Sequence, residues 1–310
     1  MTETPLRVAV AGNPNVGKTS LFNALTGLRY RVGNYAGITV EIRSGALRGE
    51  LPVPVELFDL PGAYSLSPQS EDERAAHDAL AGVSGPGFDA VLVVLDATNL
   101  SRNLYLLHQI AELGRPCIVA LNMVDAARAA GLSVDAGALS SALGVPVVET
   151  VAREGEGVAT LTDALAAGEA AVPRGVDEGR LAAALSEDAR AALQGLSDAG
   201  GSSARGRWLL GAHFTGLKDD PLVSARERTA LHAADAASLR SATTAVVQWR
   251  YAQVGTWLSD QPRGTHGEGT TAPAMRASAR IDRVLTHRVA GPLVFVAVMA
   301  LLFQSIFLMV

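Results

Sequence analysis

"AGNPNVGKTSLFNAL", residues 11–25, is the stretch on which the fold of this chain turns. Gly12 to Thr19, GNPNVGKT, satisfies the pattern G-x-x-x-x-G-K-[ST]. It stands between an apolar strand, LRVAVAG (6–12), and KTSLFNALTG (18–27), whose Leu21, Phe22 and Leu25 recur at helical spacing before Gly27. Strand, glycine-rich turn and helix are the context in which backbone amides and a lysine converge on a bound phosphate. The candidate phosphate contacts are therefore Gly12, Asn13, Pro14, Asn15, Val16, Gly17, Lys18, Thr19 and Ser20, with Lys18 on the β and γ oxygens and Thr19 a ligand of Mg²⁺. The plainer alternative is a glycine turn with a solvated lysine.

At 310 residues the chain is long enough for two domains, or for one domain with appendages. A net charge of -5 and a pI near 5.7 give no basic footprint, so nucleic acid is not an expected partner. The single Cys117, in PCIVALN, excludes a disulfide framework and a cysteine metal site; it reads as a buried apolar residue in a reducing, cytoplasmic setting. The six histidines are scattered, and no His, Cys, Asp or Glu cluster has the spacing of iron ligands. MTETPLRVAVAG opens on a strand rather than a signal peptide. From Val289 to Val310 no charge occurs over a length sufficient to cross a bilayer, and Arg280, Arg283 and Arg288 precede it, which puts residues before them on the cytoplasmic side.

The apolar runs continue past the first. TVEIRSGALRGELPVPVELFDLPG alternates in two stretches and predicts a hairpin feeding Asp59. DAVLVVLDAT (89–98), RPCIVALNMVD (115–125) and VPVVETVA (145–152) are strands separated by helical stretches near 101–113 and 134–143. This alternation predicts an α/β fold, a doubly wound and mostly parallel sheet of the P-loop type. Beyond about 170 the strand signal ends, and Ala-, Leu- and Arg-rich helical segments follow, then a Gly/Pro/Thr-rich linker at 259–274. The expected division is a nucleotide-binding domain at 1–168, a small all-α domain at 169–275, a basic segment at 276–288 and a transmembrane helix at 289–310.

Four further stretches bear on chemistry. Asp59 to Gly62, DLPG, follows the strand VELF where a magnesium-side carboxylate, Asp59, and a γ-phosphate-sensing glycine, Gly62, belong; by itself Asp-x-Pro-Gly is also an ordinary turn. Asn122 to Asp125, NMVD, ends a strand: the Asp125 carboxylate there accepts from guanine N1–H and the 2-amino group, which adenine cannot offer, so GTP is preferred over ATP, with Asn122 and Met123 beside it. Alternatively Asp125 caps a helix. Val151 and Ala152 of TVA would bring the Ala152 N–H near guanine O6. Thr39 in GNYAGITVE is the candidate switch threonine on Mg²⁺ and the γ-phosphate, or an ordinary strand threonine. Lys18, Thr39 and Gly62 are thus the candidate catalytic residues, and Thr19, Thr39 and Asp59 the candidate Mg²⁺ ligands.

Taken together, phosphate loop, threonine, DLPG, NMVD and TVA resemble a GTPase domain of the translation-factor-like class. GNPNVGKTSLFNALTG, GNYAGITVE, DLPGAYSL and LNMVD, with IDRVLTHRVAGPLVF (281–295), are similar to the amino-terminal portion of the bacterial ferrous iron transport protein B (FeoB) family. The resemblance implies a GDI-like helical domain at about 170–275, binding of GTP and GDP, and a place at the bacterial inner membrane with the GTPase cytoplasmic. It also implies partners: the remaining permease helices, small accessory Feo proteins and further copies of the chain. Asn15 matches the asparagine that helps hold K⁺ in potassium-stimulated relatives. Ala63 stands where Ras-like switches carry a water-orienting Gln, which implies slow intrinsic hydrolysis. Two departures are Ala36, where many members have Pro, and Met123 in place of the lysine of the commonest guanine motif.

Family members continue into a multi-helix permease, so these residues alone cannot form an iron pathway. The competing reading is an assembly-type, RNA-associated GTPase with an apolar anchor. It calls for a Lys/Arg-rich appendage, whereas GRLAAALSEDARAALQGLSDAGGSSARGRW is mixed in charge. A third reading makes 289–310 a buried core helix.

Overall fold

A computed structural model of the chain describes residues 4–33, 41–49, 51–67, 70–82, 85–174, 177–214 and 223–262, with isolated helical positions between 292 and 304. Thr39 and Ala36 lie outside the described residues, as does almost all of 289–310. No helix among the described residues is long and apolar enough to cross a membrane.

The strands are β1 (Leu6–Gly12), β2 (Arg31–Gly33), β3 (Ile42–Ala46), β4 (Val55–Asp59), β5 (Ala90–Asp96), β6 (Cys117–Asn122) and β7 (Val147–Thr150). They form one sheet in the order β2-β3-β4-β1-β5-β6-β7, in which β1, β4, β5, β6 and β7 pair in parallel and β3 pairs antiparallel with both β2 and β4. The predicted hairpin is β3–β4, paired Arg43 to Asp59. The central strands read as unbroken apolar runs because both faces are covered. Val8 and Val10 of β1 enter one core with Leu92 and Val94 of β5, while Ala9, Ala11, Val91, Val93 and Leu95 enter the opposite one. The first core takes α1 (Lys18–Thr26) and α6 (Val158–Ala166); the second takes α2 (Glu71–Ala81), α3 (Leu100–Glu112), α4 (Val124–Ala129) and α5 (Ala136–Leu143). The chain turns to either side of β1, so ligands belong at its carboxyl end.

Three elements have no sequence assignment: α2, α6 and β2. α2 is started by Ser70, whose side chain accepts from the Glu73 N–H. β2 is a three-residue strand on the sheet edge, with Arg31 and Val32 exposed. Cys117 is fully buried; its Sγ lies 3.2 Å from the Arg115 carbonyl, and burial pushes the thiol up to about 12.

Beyond β7 the chain stays on the sheet a little longer than 168, because the backbones of Ala171 and Cys117 exchange two hydrogen bonds. Among the described residues up to 262, five helices follow: α7 (Glu178–Ala184), α8 (Glu187–Gly200), α9 (Ser203–Phe214), α10 (Ala225–Ala233) and α11 (Ala236–Leu258). Within the Ala-rich segment EGRLAAALSEDARAALQGL (178–196), α7 and α8 meet at Leu185–Ser186, where the Ser186 side chain caps α8 by accepting from the Ala189 N–H. These helices gather around Leu193, Leu196, Leu209, Leu239, Val246 and Trp249. The end of α11 leaves that cluster: Val254, Trp257 and Leu258 belong to the core beneath the sheet, and Gln261 exchanges two hydrogen bonds with the backbone of Asp135.

Where α3 meets α9 and α11, Glu112 is buried between two guanidiniums. It accepts from Arg207 Nε, from Arg250 Nε at 2.7 Å and from Arg250 Nη2 at 3.2 Å, and contacts His108 Nδ1 at 3.0 Å. His108 packs on Trp249 and Trp257, and His77 of α2 stacks on Trp208 of α9 with ring centroids 4.8 Å apart. Both histidines are thus packing residues. Burial would raise the Glu112 carboxyl, but Arg250, His108 and Arg207 outweigh it and hold it well below the usual carboxylate range. Glu112→Gln leaves two arginines without their shared counter-charge and should cost about 3–5 kcal/mol in denaturant unfolding. The folded pKa is depressed, so the stability from this group is full above the ordinary value of 4.5 and drains away as pH falls below it. An acid-unfolding series should show the wild type losing stability in that range more steeply than the Gln variant.

Candidate functional site

The phosphate loop lies at the carboxyl end of β1. Asn15 and Gly17 take left-handed backbone conformations, φ 67° and 83°, which aim the intervening peptides inward. Gly17 is obligatory: a Cβ there would come within 2.3 Å of Asn122 Nδ2. The next residues start α1, and Lys18 reaches across to Asp59 at the end of β4, with which it forms an ion pair. Thr19 Oγ1 lies 3.4 Å from the other Asp59 oxygen. The predicted phosphate lysine, Mg²⁺ threonine and magnesium-side carboxylate therefore meet at one point, although 41 residues separate Lys18 from Asp59. Gly62 closes this side: its Cα faces Pro14, and the adjoining Ala63 N–H donates to the Gly12 carbonyl at 3.2 Å. Ala63 is buried and has no group with which to orient water.

Asn122 holds the other side together. Its Nδ2 donates to the Val16 carbonyl at 2.8 Å, and its Oδ1 accepts from Thr150 Oγ1 at 3.2 Å and from the Ala152 N–H at 3.0 Å. The Ala152 N–H, expected at guanine O6, is thus spent on Asn122, and the Val151 N–H donates to Glu156 at 3.1 Å. Asn122 is a buried strut between the phosphate loop and the turn after β7 rather than a side chain open to a base. Met123 then takes a left-handed conformation, φ 63°, and Asp125 stands exposed in the first turn of α4, where a carboxylate suits the helix dipole.

A cleft of about 520 Å³ connects these groups, lined by Asn13, Asn15, Lys18, Thr19, Ser20, Gly62 and Met123, and also by Asp72 and Arg153. Sequence reasoning missed the last two. Arg153 had a usable signal, directly following TVA; Asp72 had none, because only the placement of α2 brings it there. Asn13 is 2% exposed and neither of its amide atoms has a partner. Among the described residues no group of three His, Cys, Asp or Glu could hold a metal ion.

Sheet order, phosphate loop and cleft define a G domain of the P-loop nucleotide-binding class. Residues 6–165, just over half of the chain, match the family described as ferrous iron transport protein B. The Fe(2+) transport protein A/Fe(2+) transporter FeoB fusion protein of Porphyromonas gingivalis is 33% identical over 98% of this chain and 37% of its own length, so the chain spans little more than a third of that relative. Among solved structures, the cytosolic domain of L. pneumophila FeoB is 31% identical, with a TM-score of 0.68 over 82% of this chain and 98% of that one. An S. thermophilus NFeoB N11A mutant bound to mGDP is 33% identical, with a TM-score of 0.65 over 83% and 99%. The chain belongs to the ferrous iron transport protein B family.

Asn122→Ala would leave the Val16 carbonyl and the Ala152 N–H buried and unpaired, a loss of about 1–3 kcal/mol. Denaturant unfolding should report that loss, and nucleotide titration of the same variant should show weakened affinity because the loop and the base side are no longer tied.

Proposed function

We propose that this chain is the GTP-binding and GTP-hydrolysing part of a ferrous iron uptake system of the bacterial inner membrane, gating or regulating transport from the cytoplasmic side. The observation that carries the reading is the Lys18–Asp59 ion pair with Thr19 beside it, in a chain whose phosphate-loop cleft is also lined by Met123 of the NMVD stretch, while Asn122 ties the loop to the turn after β7. Relatives solved with GDP support it. A hydroxyl and a carboxylate oxygen 3.4 Å apart form a hard, oxygen-only donor set that suits Mg²⁺, which would be completed by substrate phosphates and water. When bound, Mg²⁺ neutralises charge on the β and γ oxygens. Lys18 moves from Asp59 to the phosphates, Thr39 and Gly62 close on the γ-phosphate, and Asp125 reads guanine.

Turnover is slow without help, since Ala63 cannot orient the attacking water. Asn15, exposed at the cleft, would share a K⁺ ion with the phosphates, supplying charge that an arginine finger gives elsewhere; the match to the asparagine of potassium-stimulated relatives supports this. The helices from 178 to 258 form a GDI-like domain that passes the state of the Gly62 loop toward membrane helices, of which 289–310 is the first. Further permease helices, an accessory Feo protein and other copies of the chain complete the system; the fusion relative supports the accessory protein. The assembly-type GTPase is not favoured, because the family match covers the nucleotide domain and residues 179–208, which follow it, are mixed in charge.

GTP against ATP hydrolysis by the full chain in detergent tests the reading: GTP-specific turnover is expected, and equal use of ATP would overturn it. Asp125→Asn should weaken GTP at least about 100-fold while improving xanthosine triphosphate. Exchanging K⁺ for Na⁺ at constant ionic strength should slow the wild type, and Asn15→Ala should be indifferent to the exchange.

A further inference from the structure

Behind the Gly62 loop lies a second cavity, of about 370 Å³, between residues 64–67, α3, α9 and α11. It shares no lining residue with the phosphate cleft. Its size is within the range of small-molecule sites. Three tyrosines wall it: Tyr105 and Tyr251 lie ring to ring, centroids 5.0 Å apart and tilted 34°, and Tyr64 carries the Arg102 guanidinium at 4.1 Å from its centroid. Arg207 and Arg250 form its buried side, and among its described lining residues there are three arginines and no carboxylate.

The charge balance favours an anion. Among the described residues the two buried guanidiniums share the buried carboxylate of Glu112, Arg207 by one bond and Arg250 by two, and Arg207 Nη1 pairs at 2.9 Å with Glu178, which is 54% exposed and therefore screened. Arg102 adds a third cation at the mouth. Arginine planes match oxyanions in a fork geometry and also stack on rings, and tyrosines offer flat apolar faces with polar tips. We propose that this cavity binds a small organic oxyanion carrying a flat aromatic ring, with the ring against Tyr105 and Tyr251 and the oxyanion toward Arg102, Arg207 and Arg250.

The position gives such a ligand a regulatory consequence, which rests on the nucleotide reading above. The Leu66 N–H donates to Gln109 Oε1 of α3 at 2.8 Å, and α9 comes so near the loop that a Cβ on Gly211 would lie 2.5 Å from Ser67 Oγ. Occupying the cavity therefore fixes the loop that follows Gly62, and by linkage nucleotide and anion alter each other's affinity by the same factor.

Calorimetric titration of the full chain in detergent, with and without saturating Mg²⁺ and GDP, tests the site with phenyl phosphate, inorganic phosphate and phenol as probes. Phenyl phosphate should bind, and the two half-probes should each bind at least about 10-fold more weakly. Arg102→Gln and Tyr251→Ala, exposed side chains whose loss leaves Tm unchanged, should each weaken phenyl phosphate about 5-fold or more. Absence of binding up to about 10 mM, strictly competitive displacement of the probe by GDP with no plateau, equal affinity for inorganic phosphate, or indifference to both variants would each overturn the site. GTP affinity measured on the same samples separates the two readings: loss of nucleotide binding with the probe results intact removes the regulatory consequence and leaves the cavity site standing.

Discussion

The amide of Asn122 is the interaction on which the nucleotide cleft depends. One side chain spans three pieces of backbone that the sequence keeps far apart: the phosphate loop at Val16, the end of β6, and the turn at 150–152. An amide is suited to this because it donates and accepts at once, so it satisfies a carbonyl on one side and an N–H on the other. Its burial makes each bond matter, since an unpaired partner would have no water to turn to. The same closeness explains Gly17, where no side chain fits beneath the amide. Lys18, Thr19 and Asp59 are then placed by β1 and β4, which lie side by side in the sheet and end together.

A second buried polar cluster, around Glu112, does for the helices what Asn122 does for the cleft. Here the groups are charged, and two arginines on α9 and α11 converge on one carboxylate of α3. Such a cluster is poor glue compared with apolar packing, but it is demanding in geometry, and breaking it leaves a bare charge in the interior. It fixes how α9 and α11 lie against α3, and with them the walls that enclose Tyr64, Tyr105 and Tyr251. α11 makes the joint continuous: Val246 and Trp249 pack among the helices while Val254, Trp257 and Leu258 pack under the sheet.

Much of this was legible in the residues because it is local. LRVAVAG and AVLVVLD are strands for their apolar runs, and the run after Lys18 is a helix for its spacing. GNPNVGKT announces its chemistry because consecutive peptides build the cradle. The misses have equally physical origins. β2 is short, exposed and on an edge, so no burial pattern marks it. The break between α7 and α8 rests on one serine cap inside an Ala-rich run that would otherwise continue. The Ala152 N–H reads as a base contact until its distance to Asn122 is known, and Asp72 reads as nothing at all.

The sequence by itself determined the class of sheet, the phosphate loop, the candidate Mg²⁺ and guanine residues and the turn from strands to helices near residue 170, because periodicity and motif spacing act over a few consecutive residues. Only the tertiary structure decided that Asn122 is a strut, that Lys18 pairs with Asp59, that Glu112 gathers two arginines, and that a tyrosine- and arginine-walled cavity stands beside the Gly62 loop. Those partners lie between 41 and 138 residues apart for Lys18–Asp59, Glu112–Arg207, Asn122–Val16 and Glu112–Arg250. Contacts over such separations are set by which strands neighbour in the sheet and how helices cross, and no local pattern encodes them.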